Sequence, residues 1–191
     1  MKKKILLFSL LLAVLCFALT FWFEEEVVSW IDPLEQVSQE DSWVQYVPKE
    51  GGFEISFPTK PEVKEHMVQL SDSSAPLCVP EYVAKKNATY SVSYVDIPRK
   101  WSFLSSNMLL KGALRTLISK KPGAKLIEKQ TIKHQGYPAL DFLLKEGDMQ
   151  MQGRMVLVGK TLYKLSASYD PQEEGQEVQN MQFLNSFSPK K

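Results

Sequence analysis

The sequence predicts an α+β domain, an antiparallel sheet of about six to eight strands covered by helices, behind an N-terminal membrane segment. Short runs of strand-forming residues follow one another from Trp43 onward. The last four of them are joined by tight glycine-bearing turns, which make neighbours antiparallel. Two stretches switch to helical spacing, one in mid-chain and one at the end.

The strand runs begin with Trp43 to Val47 and then Phe53 to Pro58, where Phe53, Ile55 and Phe57 share one face. Val63 to Leu70, Leu77 to Lys85 and Thr89 to Ile97 follow, the last alternating Tyr90, Val92 and Tyr94 with Ser91 and Ser93. Pro98 ends that strand because proline cannot donate to a ladder. The best helix covers roughly 103–120, with Phe103, Leu110, Leu114 and Leu117 on one stripe and Pro122-Gly123 as its stop. Lys125 to Lys133, Tyr137 to Lys145, Met149 to Val158 and Thr161 to Tyr169 are the remaining strands. Their connectors are His134-Gln135-Gly136, Glu146-Gly147-Asp148 and Gly159-Lys160. A closing helix is expected over Glu173 to Phe187, with Val178, Met181, Leu184 and Phe187 turned inward and acids near its start.

Ahead of this domain, Met1-Lys2-Lys3-Lys4 precedes an unbroken apolar run from Ile5 to Phe23, followed by Glu24-Glu25-Glu26. The run is long enough to span roughly 28 Å, about the thickness of a bilayer's hydrocarbon core. Lysines stay on the cytoplasmic side, so residues 1–23 read as a signal-anchor of the inner membrane with the domain outside. Trp22 suits the headgroup interface. Cleavage after Ala18-Leu19-Thr20 and lipidation at Cys16 remain as rival fates of this segment. The acidic stretch 24–42, carrying Pro33, reads as a juxtamembrane stalk, and 43–188 as the folded domain.

Composition narrows the function. A content of 44% hydrophobic and 24% charged residues excludes a disordered chain. The formal charge of +1 conceals an asymmetry, because beyond residue 23 there are 20 Lys+Arg against 22 Asp+Glu, or −2. No basic excess of the kind that phosphate binding needs is present, so no nucleic-acid partner is expected. The pairs Lys85-Lys86, Arg99-Lys100, Lys120-Lys121 and Lys190-Lys191 read as solvated surface, with anionic headgroups as the alternative. Cys78 is the one cysteine outside the apolar run, so an internal disulfide is impossible, and it reads as a small buried hydrophobe.

Gly51-Gly52-Phe53-Glu54-Ile55-Ser56-Phe57-Pro58 with Pro61, the mid-chain helix, Gly136-Tyr137-Pro138-Ala139 and Phe183-Leu184-Asn185-Ser186-Phe187 resemble the superfamily of PsbP-like and DcrB-like proteins. The likeness covers about residues 43 to 188 and rests on structural motifs. It implies an α/β/α sandwich used for binding, in a superfamily of mostly non-catalytic lumenal and envelope proteins, with no catalytic residue to carry over.

No nucleophile elbow, zinc-protease helix, phosphate loop or calcium loop occurs in the sequence. Cys78 with His66 or His134 is a formal dyad, set against a core thiol and surface histidines. Glu146 with Asp148, and Glu173-Glu174, read as solvated acids rather than a glycosidase pair. Met149, Met151 and Met155 share a strand face that could hold Cu(I) or simply pack, with Gln150, Gln152 and Arg154 turned to water. Seven tyrosines (Tyr46, Tyr82, Tyr90, Tyr94, Tyr137, Tyr163 and Tyr169) are enough to line a groove or to pack half-buried. Asn87-Ala88-Thr89 is a formal glycosylation acceptor.

The reading is therefore a non-catalytic, membrane-anchored envelope protein that binds or assembles with an envelope protein partner, reaching the membrane through residues 5–23. No catalytic, cofactor or metal residue is assigned. A hydrolase with an unrecognised site and a copper-handling protein are the alternatives. Intact-mass measurement on the chain from its native membrane is expected to show residues 5–23 retained; a mass starting after Thr20 would exclude the anchor.

Overall fold

A computed structural model describes residues 43–68 and 77–190. The predicted anchor 1–23 with Cys16, the stalk 24–42 and the end of the third strand run at 69–70 lie outside the described residues. The strands are β1 (Val44–Tyr46), β2 (Phe53–Phe57), β3 (Glu62–Val68), β4 (Leu77–Lys85), β5 (Thr89–Asp96), β6 (Lys125–His134), β7 (Tyr137–Glu146), β8 (Met149–Val158), β9 (Thr161–Tyr169) and β10 (Ser188–Pro189). A 3-10 turn (Arg99–Trp101) and helix α1 (Ser106–Ser119) follow β5, and helix α2 (Gln176–Ser186) follows β9.

Seven strands form one antiparallel sheet in the order β3-β4-β5-β9-β8-β7-β6. The hairpin from β6 to β7 turns on Gln135 and Gly136, both at positive φ, which matches the right-handed twist of the strands. α1 carries the chain from β5 to the far edge at β6, and the meander β6 to β9 returns it beside β5. A smaller sheet, β1-β2-β10, lies apart in pairing and is built on β2.

The large sheet is covered on both sides. One face presents Tyr82, Ala84, Tyr90, Val92, Ala139, Val156, Leu165 and Ala167 to Phe53, Ile55 and Phe57 of β2 and to Phe183, Leu184 and Phe187 of the C-terminal segment. Each of these large side chains contributes about 1.5–3 kcal/mol by leaving water. The other face presents Leu140, Phe142, Leu144, Met155 and Leu157 to Leu110 and Leu114 of α1. Gly153 sits in this second layer because a Cβ there would meet the Leu165 carbonyl oxygen at 2.7 Å and run into the Phe142 ring. Thus β8 needs its glycine for the close approach of a ring and a neighbouring strand.

Both helices differ from the sequence expectation, each for a local reason. α1 starts at Ser106 because extended Ser105 caps it, its Oγ accepting from the Met108 backbone N–H at 3.4 Å. Phe103 therefore lies before the helix and is 81% exposed, not part of the inward stripe. α2 buries Gln176, Asn180, Phe183 and Leu184, whereas Val178 and Met181 face solvent. The sheet offers this helix a polar partner: Gln176 Nε2 donates to the Tyr90 hydroxyl at 2.6 Å and to Asn180 Oδ1 at 2.9 Å. Counting apolar residues alone misses a face held partly by hydrogen bonds.

Arg154, expected to point to water, is 3% exposed and clamps the sheet to the C-terminal segment. Its Nε and Nη2 donate to the two oxygens of Asp141, at 2.6 and 2.9 Å. Its Nη1 donates to Asn185 Oδ1 at 3.0 Å and to the Leu184 carbonyl at 3.3 Å, and lies 3.0 Å from His134 Nδ1. His134 is buried rather than on the surface, with Nε2 2.8 Å from the Phe187 carbonyl. A carbonyl and a guanidinium fix the tautomer: Nε2 carries the proton and Nδ1 accepts. Removing Arg154 leaves the half-buried Asp141 without its ion-pair partner and the buried His134 Nδ1 and Leu184 carbonyl without this donor, so Arg154→Met is expected to lose about 3–5 kcal/mol in urea unfolding. Arg154→Lys should recover little of it, because a lysine cannot make the bidentate pair; a variant within about 1 kcal/mol of the parent would remove the clamp from this account.

Candidate binding cleft

Three tyrosines and the loop from β1 to β2 make a cleft among the described residues. Tyr82 of β4 and Tyr94 of β5 stand on the sheet face that packs β2, and Tyr46 of β1 lies against Tyr82 with ring centroids 5.6 Å apart. Phe53 supports them from beneath, its ring 5.6 Å from Tyr82 and 6.2 Å from Tyr94. The wall is the β1–β2 loop. Gly51 has φ of +106°, and a Cβ on it would strike the Tyr94 ring at 2.7 Å, so glycine alone lets this backbone lie on the ring. Tyr163 ties the loop down by donating its hydroxyl to the Gly51 carbonyl at 2.7 Å.

The resulting cleft has a volume of about 690 Å³ and opens between the β1–β2 loop and the β3–β4 edge of the sheet. Its rim carries the exposed carboxylates of Glu50, Glu65 and Asp96 against one cation, Lys49. Burial, then the neighbouring Tyr94 and Tyr46, push the Tyr82 hydroxyl up to about 12. Burial also raises Tyr94, and the charges of Glu50 and Asp96 add to it against an opposing hydrogen bond with Tyr82. The phenols are thus neutral hydrogen-bonding groups beside an anionic rim.

Cys78 lines this cleft and is exposed, not the buried hydrophobe expected from its place between Leu77 and Val79. It lies at the start of β4, beside β3, the sheet's edge strand among the described residues. Desolvation at that edge, then the hydrogen bond and charge of Glu65, raise its thiol above the ordinary range, which disfavours the thiolate a nucleophile needs. His66 does not reach it. Met67 is the residue opposite Cys78, so His66 points to the other face of the sheet, where its Nε2 lies 2.8 Å from Glu81 Oε2. His134 belongs to the Arg154 clamp. Neither formal dyad is assembled.

The other singled-out residues are scattered. Met155 is buried in the α1 layer, Met151 packs against it and Met149 is exposed. Glu146 and Asp148 are exposed, Glu146 pairing with Lys121 at 2.7 Å, and Glu173 and Glu174 are exposed before α2. Asn87 is exposed in the β4–β5 turn. Tyr90, Tyr163 and Tyr169 are core rings. Among the described residues no group of three or more His, Cys, Asp or Glu side chains is arranged to hold a metal, and no helix is long and apolar enough to cross a membrane. The cleft itself has no local sequence signature, since four strands and a loop supply it.

On the opposite sheet face, Glu81 sits between Lys164 (3.3 Å) and His66. Burial alone would raise its carboxyl, but the Lys164 charge and hydrogen bonds from Lys164, Ser91 and His66 outweigh it and hold the carboxyl below its ordinary value. A lowered folded pKa gives stability that is present above the unfolded value, about 4.3, and lost as pH falls through the folded one. Thermal melts of Glu81→Gln against the parent are expected to differ most at neutral pH and to converge in acid below that value; a constant gap would discard this linkage.

No family model matches the chain, and no curated protein matches it. Among solved structures, it is similar to the cyanobacterial PsbP of Synechocystis, with a TM-score of 0.52 at 15% identity, over 78% of this chain and 93% of that one. It is also similar to a protein of unknown function from Pseudomonas aeruginosa, with a TM-score of 0.43 at 14% identity, over 74% of this chain and 95% of that one. The described domain therefore has a PsbP-like fold.

Proposed function

We propose that this PsbP-like domain is the extracytoplasmic binding part of a membrane-tethered envelope protein, and that it holds an extended, basic segment of a protein partner rather than transforming a substrate. The observation that carries this reading is the Tyr46–Tyr82–Tyr94 cleft with its acidic rim. A Lys or Arg side chain laid over tyrosine rings gains about 0.5–1 kcal/mol at an exposed site, and the rim carboxylates attract the same charge. β3 supplies a place for the partner's backbone. It is the edge strand of the large sheet among the described residues, and Val63 and Glu65 on it line the cleft. An extended segment added there would gain main-chain hydrogen bonds while its side chains enter the cleft.

Charge also selects against the chain's own stalk as occupant. Residues 24–42 carry seven Asp and Glu and no Lys or Arg, so an acidic rim repels them. The tether rests on the 19-residue apolar run from Ile5 to Phe23 between lysines and glutamates.

Cys78 gives a direct test because it is exposed in the cleft. The full chain carrying Cys16→Ala is labelled at Cys78 with a benzophenone maleimide in its native membrane and irradiated. The attached peptides are then sequenced. Recurrent attachment to a Lys- or Arg-bearing stretch of one protein is expected, cut about tenfold by the double substitution Glu50→Lys and Glu65→Lys and by a competing peptide of alternating Lys and Val. Attachment to residues 24–42, or capture indifferent to the charge reversal, overturns the proposal.

A further inference from the structure

The segment joining β5 to β6 concentrates the positive charge of the domain. Between Asp96 and Glu128 there is no acidic residue, while Arg99, Lys100, Lys111, Arg115, Lys120, Lys121 and Lys125 all fall there. The rest of the chain beyond residue 23 then holds 13 Lys and Arg against 22 Asp and Glu. Such segregation is not what an ordinary solvated helix shows, since alternating signs favour i to i+4 pairs.

The fold turns this charge outward. Leu110 and Leu114 are buried on β7 and β8, with Leu117 packed beside them. At 100° per residue the side of α1 opposite these leucines carries Met108, Gly112, Arg115, Thr116 and Ser119, with Lys111 on its flank beside Arg115, all exposed. Met108 is 59% exposed, and Phe103, just before the helix, is 81% exposed. An aromatic ring and a thioether thus stand in water at the amino end of a cationic stripe. Ser105 caps α1, so Phe103 precedes the helix.

We infer that this stripe, with the turn before it, is a membrane-contact surface: the outer side of α1 lies against a bilayer bearing anionic headgroups, with Phe103 and Met108 entering the interface. The partner is set by charge complementarity. Cations spread along one helix side suit a plane of headgroups, and exposed apolar residues beside them suit the boundary with the acyl chains. The proposal rests on the tether reading for proximity alone, because an anchored chain meets the surface at high local concentration. Most of the cleft lies on the opposite sheet face, with Tyr82 and Tyr94, so a domain resting on α1 would present the cleft to the aqueous side.

The test uses the full chain in vesicles of phosphatidylcholine alone or with phosphatidylglycerol. An environment-sensitive nitrobenzoxadiazole dye is placed at Phe103→Cys in a background of Cys16→Ala and Cys78→Ala. Its quenching by aqueous iodide is expected to fall about threefold in the anionic vesicles, with a blue shift, and to return on Lys111→Glu with Arg115→Glu. Both are surface substitutions, checked for folding by circular dichroism. Equal quenching in the two vesicle types, or protection that survives the charge reversal, overturns the inference. Protection found only in native membranes, accompanied by a crosslink to an acidic protein, also overturns it and names that protein as the occupant. The tether is read separately, as resistance of the unlabelled chain to alkaline carbonate extraction, so its failure is distinguishable from failure of the contact.

Discussion

Arg154 is the interaction on which the assembly of the two layers depends. It lies on β8, an inner strand of the sheet, yet its guanidinium reaches β7 through Asp141, β6 through His134 and the end of α2 through Asn185 and the Leu184 carbonyl. A buried guanidinium is tolerable only where its donors are satisfied and its charge is met, and Asp141 meets it. The consequence travels along the chain. Holding the end of α2 places Phe187 in the core, where it packs on Phe53 and Tyr163 at 5.8 and 5.1 Å. β10 then pairs with β2, and the Lys190 N–H donates to the Gly52 carbonyl at 2.7 Å.

That chain of contacts ends at the cleft. β2 is held between β1 and β10, so the glycine turn before it is fixed at both ends. Tyr163 then anchors Gly51, and Gly51 lies on Tyr94. The cleft is therefore a by-product of how the small sheet closes over the large one, and its aromatic floor is an extension of the core. Rings that are core at one end and exposed at the other give a binding surface at low entropic cost, because a packed tyrosine has few rotamers left to lose.

The domain also sorts its charges by place. Acids rim the cleft, while cations collect along the linker that crosses from β5 to β6. A single sum over the chain conceals this, since the two populations nearly cancel. Surfaces of opposite sign on one small domain can meet two different partners without competing.

The sequence by itself determined what local physics controls. Alternation placed the strands, from Phe53, Ile55 and Phe57 to Thr161–Tyr169, and the Gly136, Gly147 and Gly159 turns determined that their neighbours run antiparallel. Its motifs were enough to suggest the PsbP-like fold. Only the tertiary structure decided which side chains a helix buries, and where the chemistry meets. α2 turned in Gln176 and Asn180 because Tyr90 waits beneath it, and Arg154 went inward because Asp141 and His134 stand beside it across the sheet. Cys78 came out because it lies at the start of β4, beside the edge strand. Each of these is a question of what sits opposite a residue from a distant part of the chain. Periodicity reports the face of an element and is silent about its neighbour, so the clamp and the cleft could be read only once the strands were in order.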